Sequence, residues 1–348
     1  MSFIPTILGT VALSFFGLKI VQFLLSLVAT LRRLMYIRRH LPGPKPHWFY
    51  GNFRDPGFNE PGFEWEQEAV TKYRRLLVFW MGWKPVVMLN HPDSIKPLLA
   101  TNIGRKVCLN DIHNYKNILV IQGDEYRVFK DWTEGLGTLE GAIWKRHRSL
   151  ITPSFHFQVL KQYLVVMNEP EKKAKDFLDT LVLAKDSNGN GLSEKEIRDE
   201  VNMFIFAGTD TTASALTWLL NTLAQHPEEQ ARVQEEVDTL FTGRDDDTVR
   251  YEDLKKLTYT TQSLRESMRL YVNVPPFRVL RESLKVNGFI VPAGTNVMVN
   301  NYQVHHNPDV WGDDHMDFKP ERFERANVEK RDPFAFIPFS AGARSASA

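Results

Sequence analysis

Residues 7–31 form a 25-residue apolar run broken by one charge, Lys19. A helix needs about 20 apolar residues to cross a bilayer core, so the run is long enough to span. Arg32, Arg33, Arg38 and Arg39 follow it, and basic residues flanking a span stay on the cytoplasmic side. The run is too long for a signal peptide, and its charges follow rather than precede it, which favours a retained anchor. Leu41-Pro42-Gly43-Pro44-Lys45-Pro46 cannot be helical and reads as a stiff hinge. The predicted division is therefore anchor and basic flank at 1–40, hinge at 41–47, and one domain at 48–348.

Beyond the hinge the pattern is mostly helical, with a small sheet near the front and another near the end. Leu76–Met81 and Val86–Leu89 have strand-like spacing around a turn at Gly82, and a short helix follows His91-Pro92. Ile143 to Val166 reads as helix broken near Pro153. Asp186 to Gly191 is a loop by composition; it nearly matches a calcium loop, but Ile197 stands where a bidentate Glu is needed, so calcium is rejected. Ser193-x-x-Glu196 is a capping box opening the longest helix, which His226-Pro227 ends at Gln225. Pro227–Phe241 and Leu254–Tyr271 read as further helices. Leu284–Val286 and Phe289–Val291 flank the hairpin signal Asn287-Gly288, and Asn296–Asn300 gives another strand. From His305 onward the chain reads as loop.

Composition sharpens this picture by exclusion. The chain has 348 residues, 43% hydrophobic and 24% charged, which suits a globular protein and excludes a disordered or polytopic one. One cysteine, Cys108, excludes an internal disulfide framework and multi-cysteine metal sites. A net charge of +1 gives no argument for nucleic acid. Residues 1–40 hold five basic side chains and no acidic one, so a basic leader precedes a mildly acidic body.

The long helix carries the first candidate chemistry. Its flanks, Met203 to Phe206 and Ala213 to Leu220, are apolar almost all round, which predicts burial. Between them lies Ala207-Gly208-Thr209-Asp210-Thr211-Thr212. A mid-helix Gly, a buried Asp and back-bonding Thr hydroxyls are each unfavourable there. Either the backbone opens beside something flat and bulky, or the segment is a packing notch with Asp210 paired to an Arg. Glu266 and Arg269 share a helix face, which by itself suits a solvated ion pair. Trp144 and Arg148 lie one helical turn apart. Lys145 and Arg146 suit either an acidic partner or a solvated face. His305-His306 fits a turn beside Pro308 better than a metal site.

The end of the chain connects these pieces. Asp332 to Ile337 leads through Phe339-x-x-Gly342-x-Arg344, and here the sequence resembles the cytochrome P450 haem-thiolate monooxygenases. Ala207-Gly208-x-Asp210-Thr211-Thr212 resembles their oxygen-activation motif, and Glu266-x-x-Arg269 their core pair. Pro320-Glu321-Arg322-Phe323 resembles the segment donating a second Arg to that pair. Phe339-x-x-Gly342-x-Arg344 resembles the haem-binding loop, and Trp144-x-x-x-Arg148 the helix that holds a propionate. The anchor and hinge resemble those of microsomal members. Asp176 to Ser193 and His305-His306-Asn307-Pro308 are similar to the fatty-acid ω-hydroxylase group.

The resemblance implies a mainly α fold with small sheets and an N-terminal transmembrane helix, facing the cytoplasm from the endoplasmic reticulum. It implies a haem cofactor, NADPH–cytochrome P450 reductase as partner, and O₂-dependent hydroxylation of a lipophilic substrate such as a fatty acid. It implies proton-relay roles for Asp210 and Thr211 beside Ala207 and Gly208. It implies propionate contacts for Trp144, Arg148, Arg278 and Arg344, with Arg281 an alternative to Arg278, and structural roles for Glu266, Arg269 and Arg322. Phe339 and Gly342 would shape the haem loop.

Three departures bear on that expectation. Ala346 stands where the cysteine ligand belongs, and the family's last helix does not follow; Cys108 does not match the ligand position. The lid helices between Met167 and about Lys175 read as deleted. Ala207 stands where many ω-hydroxylases carry a Glu that esterifies the haem. The fold is thus expected to be incomplete and this chain inactive as a haem-thiolate enzyme. The alternative is a haem-free, membrane-anchored variant that binds lipid or a partner.

Overall fold

A computed structural model describes residues 3–53, 71–99, 104–106, 134–137, 139, 141–168, 176–272 and 275–341. The chain divides into two compact units: residues 1–105 with 278–299, and residues 106–277 with 300–348.

The first unit begins with helix α1, Phe3–His40. Among the described residues it is the one helix long and apolar enough to cross a membrane. It stops where the sequence predicts: Leu41 N–H still donates to Ile37 O, and Pro42 has no N–H to continue. Ile37 and Leu41 are buried, so the last turns of α1 are packed against the unit. The Arg33 guanidinium donates to Gly294 O at 2.9 Å. Strands β1 (Leu76–Met81) and β2 (Lys84–Leu89) form an antiparallel pair around Gly82, with Met81 opposite Lys84. Helix α2 covers Pro92–Leu99, and β3 covers Gly104–Lys106.

The later strands return to this unit. They are β4 (Phe277–Leu280), β5 (Leu284–Val286), β6 (Phe289–Val291) and β7 (Asn296–Val299). The main sheet has the order β1-β2-β7-β4-β3, and β2 pairs parallel with β7. Leu76–Trp80 and Val86–Leu89 are buried without alternation, as in a strand covered on both faces. The β5–β6 hairpin turns at Asn287 and Gly288, with φ of 48° and 83°, the left-handed pair this turn requires. Strands β3 and β4 were not expected; they are only three and four residues long.

The second unit is helical. Helix α3 (Gly141–Ile151) ends in a 3₁₀ turn at Thr152–Phe155 holding Pro153, and α4 covers Phe157–Asn168. Helix α5 (Phe177–Leu183) is capped by Asp176. Helix α6 runs 32 residues, Glu194–Gln225, from the capping box of Ser193 and Glu196. Helix α7 follows at Pro227–Phe241. The helix predicted over Leu254–Tyr271 is in fact a 3₁₀ turn, Asp253–Lys255, and then α8, Thr258–Leu270. The start shifts because Glu236 of α7 accepts the N–H groups of Tyr259 and Thr260, at 2.7 and 2.8 Å, so the cap comes from another helix.

The stretch from Asn301 onward, read as loop from His305, contains short helical turns. They are α9 (Asn301–His305), α10 (Pro308–Trp311), a 3₁₀ turn at Pro320–Phe323, and α11 (Arg325–Val328). Leu219, Leu223 and Phe318 form one core cluster with Val233, Leu264 and Leu270. Trp311, Phe323 and Ala335 form another with Val310 and Phe336.

Candidate functional site

Helix α6 is continuous through Ala207–Thr212, so the backbone does not open there. Thr211 Oγ1 donates to Ala207 O at 2.6 Å, which satisfies the hydroxyl within the helix. The predicted burial of this segment is not observed: Ile205 to Asp210 are exposed, with Ile205 at 60%. A Cβ added at Gly208 would meet no atom within 4 Å. Phe204 is half-buried; it stacks with Phe155 at 5.4 Å and meets Phe177 at a tilt at 4.7 Å between centroids. The apolar pattern of α6 thus marks an open face bordered by aromatic rings.

Glu266 and Arg269 of α8 are not solvated: both side chains are 0% exposed. Arg269 Nε and Nη2 donate to the two carboxylate oxygens of Glu266 at 2.7 and 2.8 Å, the fork geometry that suits guanidinium. Its remaining donors reach the carbonyls of His305, His315 and Asp317 at 2.8, 2.6 and 3.2 Å. Arg322 Nε lies 3.3 Å from Glu266 Oε1 as an ion pair without hydrogen-bond geometry. Arg322 also donates to Trp311 O and Asp314 O at 2.8 and 2.6 Å. One helix face therefore holds the meander before the aromatic loop through a single buried carboxylate.

That loop is positioned from beneath. His305 is fully buried, and its Nε2 accepts the Ile337 N–H at 3.0 Å. Burial holds its imidazole well below the usual histidine range, so it stays neutral and can accept. His306 is pushed down to about 4, again by burial, and its Nδ1 donates to Tyr302 O. Both histidines serve the backbone. Phe339 is exposed, and Ser340 has a φ of 65°. Gly342, Arg344 and Ala346 lie outside the described residues, as does Cys108.

Trp144 and Arg148 lie one turn apart on α3 and are half-buried. Arg278, on β4 of the first unit, is buried. Between Trp144 and Arg148 is a group the sequence reading did not single out. His147 Nδ1 lies 2.7 Å from Glu200 and its Nε2 3.1 Å from Glu196, both on α6. Glu200 also accepts the Leu136 N–H at 2.9 Å. Arg146, read as a docking or solvated residue, is instead committed internally. It donates to Asp186, Glu196 and Gly191 O at 3.1, 2.9 and 2.6 Å. Asp186 Oδ1 accepts the N–H groups of Asn188 and Asn190, so its carboxylate closes the loop. The sequence signal for these contacts was weak, because the partners lie 40 to 53 residues apart.

Comparison with protein families matches residues 41–170 and 166–345 to Cytochrome P450. The chain belongs to the cytochrome P450 family. The match comes in two pieces that meet at 166–170, where the sequence reading places the missing lid. The chain is similar to Cytochrome P450 4F6 of Rattus norvegicus, 27% identical over 430 positions, covering 87% of this chain and 77% of the relative. It is 26% identical to the Ultra-long-chain fatty acid omega-hydroxylase of Homo sapiens over 457 positions, covering 94% and 82%. Leukotriene-B4 omega-hydroxylase 3 of Mus musculus is 27% identical over 439 positions, covering 88% and 80%. These alignments are longer than the 348 residues of this P450 chain, so they open gaps within it.

The P450 family implies haem. The open face of α6 above Gly208 suits a flat apolar ring. The donor does not fit: the resemblance puts the iron ligand at position 346, and the Ala346 methyl has no lone pair. Among the described residues no cluster of His, Cys, Asp or Glu could hold a metal ion instead.

Proposed function

We propose that this chain carries the scaffold of a membrane-anchored P450 monooxygenase acting on a lipophilic substrate such as a fatty acid, and that it does not itself perform haem-thiolate chemistry. Membership of the family and the ω-hydroxylase names of its relatives support the scaffold reading. The observation that carries the second half is Ala346. Thiolate ligation supplies the electron density that favours O–O cleavage, and a methyl group supplies none. No step through haem is therefore assigned to Asp210 or Thr211, and Trp144, Arg148, Arg278, Phe339, Gly342 and Arg344 remain the contacts the resemblance proposes. Glu266, Arg269 and Arg322 are assigned to holding the scaffold. The apolar N-terminal helix and the resemblance to microsomal members support a place in the endoplasmic reticulum membrane with the body in the cytoplasm, where NADPH–cytochrome P450 reductase would meet it.

The open apolar face of α6 favours the second reading, a haem-free anchored protein that binds lipid. Contiguous exposed apolar surface of this kind marks an interaction site. The test is the reduced carbon monoxide difference spectrum of the full chain in membranes, with haem quantified chemically and binding of a fluorescent fatty acid measured in parallel. We expect no thiolate-type Soret band. Such a band from the unaltered chain overturns the assignment of lost ligation, and stoichiometric haem overturns the haem-free reading.

A further inference from the structure

Arg331 carries a charge that its neighbours in the second unit do not neutralise. It follows α11 and is half-buried. Its guanidinium lies 4.1 Å from the centroid of the Trp311 ring and 5.1 Å from that of Phe323. Both rings belong to a core cluster, so the cation rests on aromatic walls that the fold holds in place. The Arg331 backbone N–H donates to Val328 O at 3.2 Å, and its Nη2 donates to Arg322 O at 2.5 Å. A guanidinium has five N–H donors, and among the described residues the Arg322 carbonyl is the one acceptor it meets. No carboxylate among them pairs with it.

The nearby acids are already taken. Glu266 is shared by Arg269 and Arg322. Asp314 holds Arg322 and Lys319, each at 2.7 Å, and Glu321 holds Arg232 of α7 at 2.5 Å. Burial pushes the Arg331 guanidinium down to about 10; Glu266 opposes this, and Arg269 and Arg322 add to it. Arg331 is thus still charged at neutral pH, and a cation taken from water is costly until an anion meets it. There is room for one. Between α10, the 3₁₀ turn at Pro320–Phe323 and α11 lies an open depression of about 480 Å³. Arg331, Arg322, Lys319 and Lys330 line it against Asp314 and Glu321, an excess of two positive charges. Lys330 is exposed and makes no ion pair among the described residues.

We propose that this depression binds a phosphate dianion, with Arg331 as the planar fork and Lys330 as the second charge. A guanidinium meets two phosphate oxygens through parallel N–H groups, whereas an ammonium acts as a point charge. Two excess positive charges match a dianion; a single carboxylate would leave one of them unmet. Val310 is the one apolar residue in the lining, so the part of the ligand that is recognised is its phosphate and not an apolar tail. The ligand class is free phosphate or a small soluble phosphate ester. The site needs neither haem nor the apolar face of α6.

The test is calorimetric titration of the full chain in detergent with inorganic phosphate and with glycerol 3-phosphate, at constant ionic strength. Sodium acetate and sodium chloride are the controls. We expect saturable binding of one phosphate per chain and none of acetate or chloride. Tighter binding of glycerol 3-phosphate marks an ester as the ligand, and tighter binding of inorganic phosphate marks the free ion; either ranking supports the site. Arg331→Lys keeps the charge and loses the fork, and should weaken binding about tenfold. Lys330→Ala alters an exposed side chain, so it tests the site even if the Arg331 variant misfolds; it should weaken binding about threefold. Lys285→Ala, an exposed lysine of the first unit, should leave it unchanged. Absence of saturable phosphate binding overturns the proposal. So does equal binding of acetate, or equal affinity in wild type, Lys330→Ala and a folded Arg331→Lys.

Discussion

His147 and Glu200 are 53 residues apart in sequence, yet their side chains meet at 2.7 Å with neither reaching solvent. The contact joins α3 to α6, and Glu196 closes it from the other ring nitrogen. Removing one partner of a buried charged pair leaves the other without compensation, at about 3 kcal/mol or more. His147→Ala should lower the thermal midpoint of the full chain in detergent by several degrees, and Glu200→Gln, which keeps the shape and a hydrogen bond, by less. Equal midpoints for wild type and His147→Ala would refute the coupling.

The same group sets a pH dependence. The hydrogen bond to Glu200 raises His147 above its ordinary 6.5, against the opposing effect of burial. Its contribution is complete below 6.5 and is lost as pH rises through the raised native value. Burial would raise Glu196, but the Ser193 backbone and hydroxyl, His147 and Arg146 outweigh it and bring the carboxyl down to about 2. That contribution is present above 4.5 and is lost as pH falls toward 2. Thermal midpoints should therefore fall on the alkaline side, and His147→Gln should flatten that limb and also weaken the acidic one, since Glu196 loses one of the partners that hold it down.

Arg269 uses a planar fork, and lysine cannot reproduce it. Arg269→Lys is expected to destabilise nearly as much as Arg269→Ala, because carbonyls of His305, His315 and Asp317 lose donors in either case. Limited proteolysis of the 300–341 region checks this. A lysine variant as resistant as wild type would contradict the geometry.

Gly208 sits in unbroken helix with open space where its side chain would be. Gly208→Ala should stabilise the chain by up to about 1 kcal/mol. A loss of stability would mean that some group rests against that position in the folded protein, and denaturant unfolding of the two chains decides it.

Gly51 is the opposite case. Its φ is 64°, and an added Cβ would fall 2.0 Å from the backbone oxygen of Trp80, which cannot move aside. Gly51→Ala should remove soluble, folded protein from expression trials, whereas Gly189→Ala, also at positive φ but with open space, should cost about 1 kcal/mol.

The sequence by itself determined the local elements. Ser193 with Glu196, Asn287-Gly288, the prolines after α1 and the apolar runs of β1 and β2 encode their structures within a few residues, through caps, turn geometry and burial pattern. It also carried the family resemblance, since ordered motifs are sequence objects, and it carried the absence of a donor at Ala346. What it could not decide is which side chains meet across tens of residues. Glu266 and Arg269 by their spacing alone suited a solvated pair, the resemblance implied a structural one, and only the fold shows the complete burial and the five hydrogen bonds of Arg269. Arg146 suited an acidic partner or a solvated face equally until Asp186 and Glu196 were seen around it. The apolar middle of α6 looked buried, because periodicity reports which face is apolar and not what covers it. Only tertiary structure decides that, since burial and pairing depend on what packs against a residue, and those neighbours are set by the whole fold.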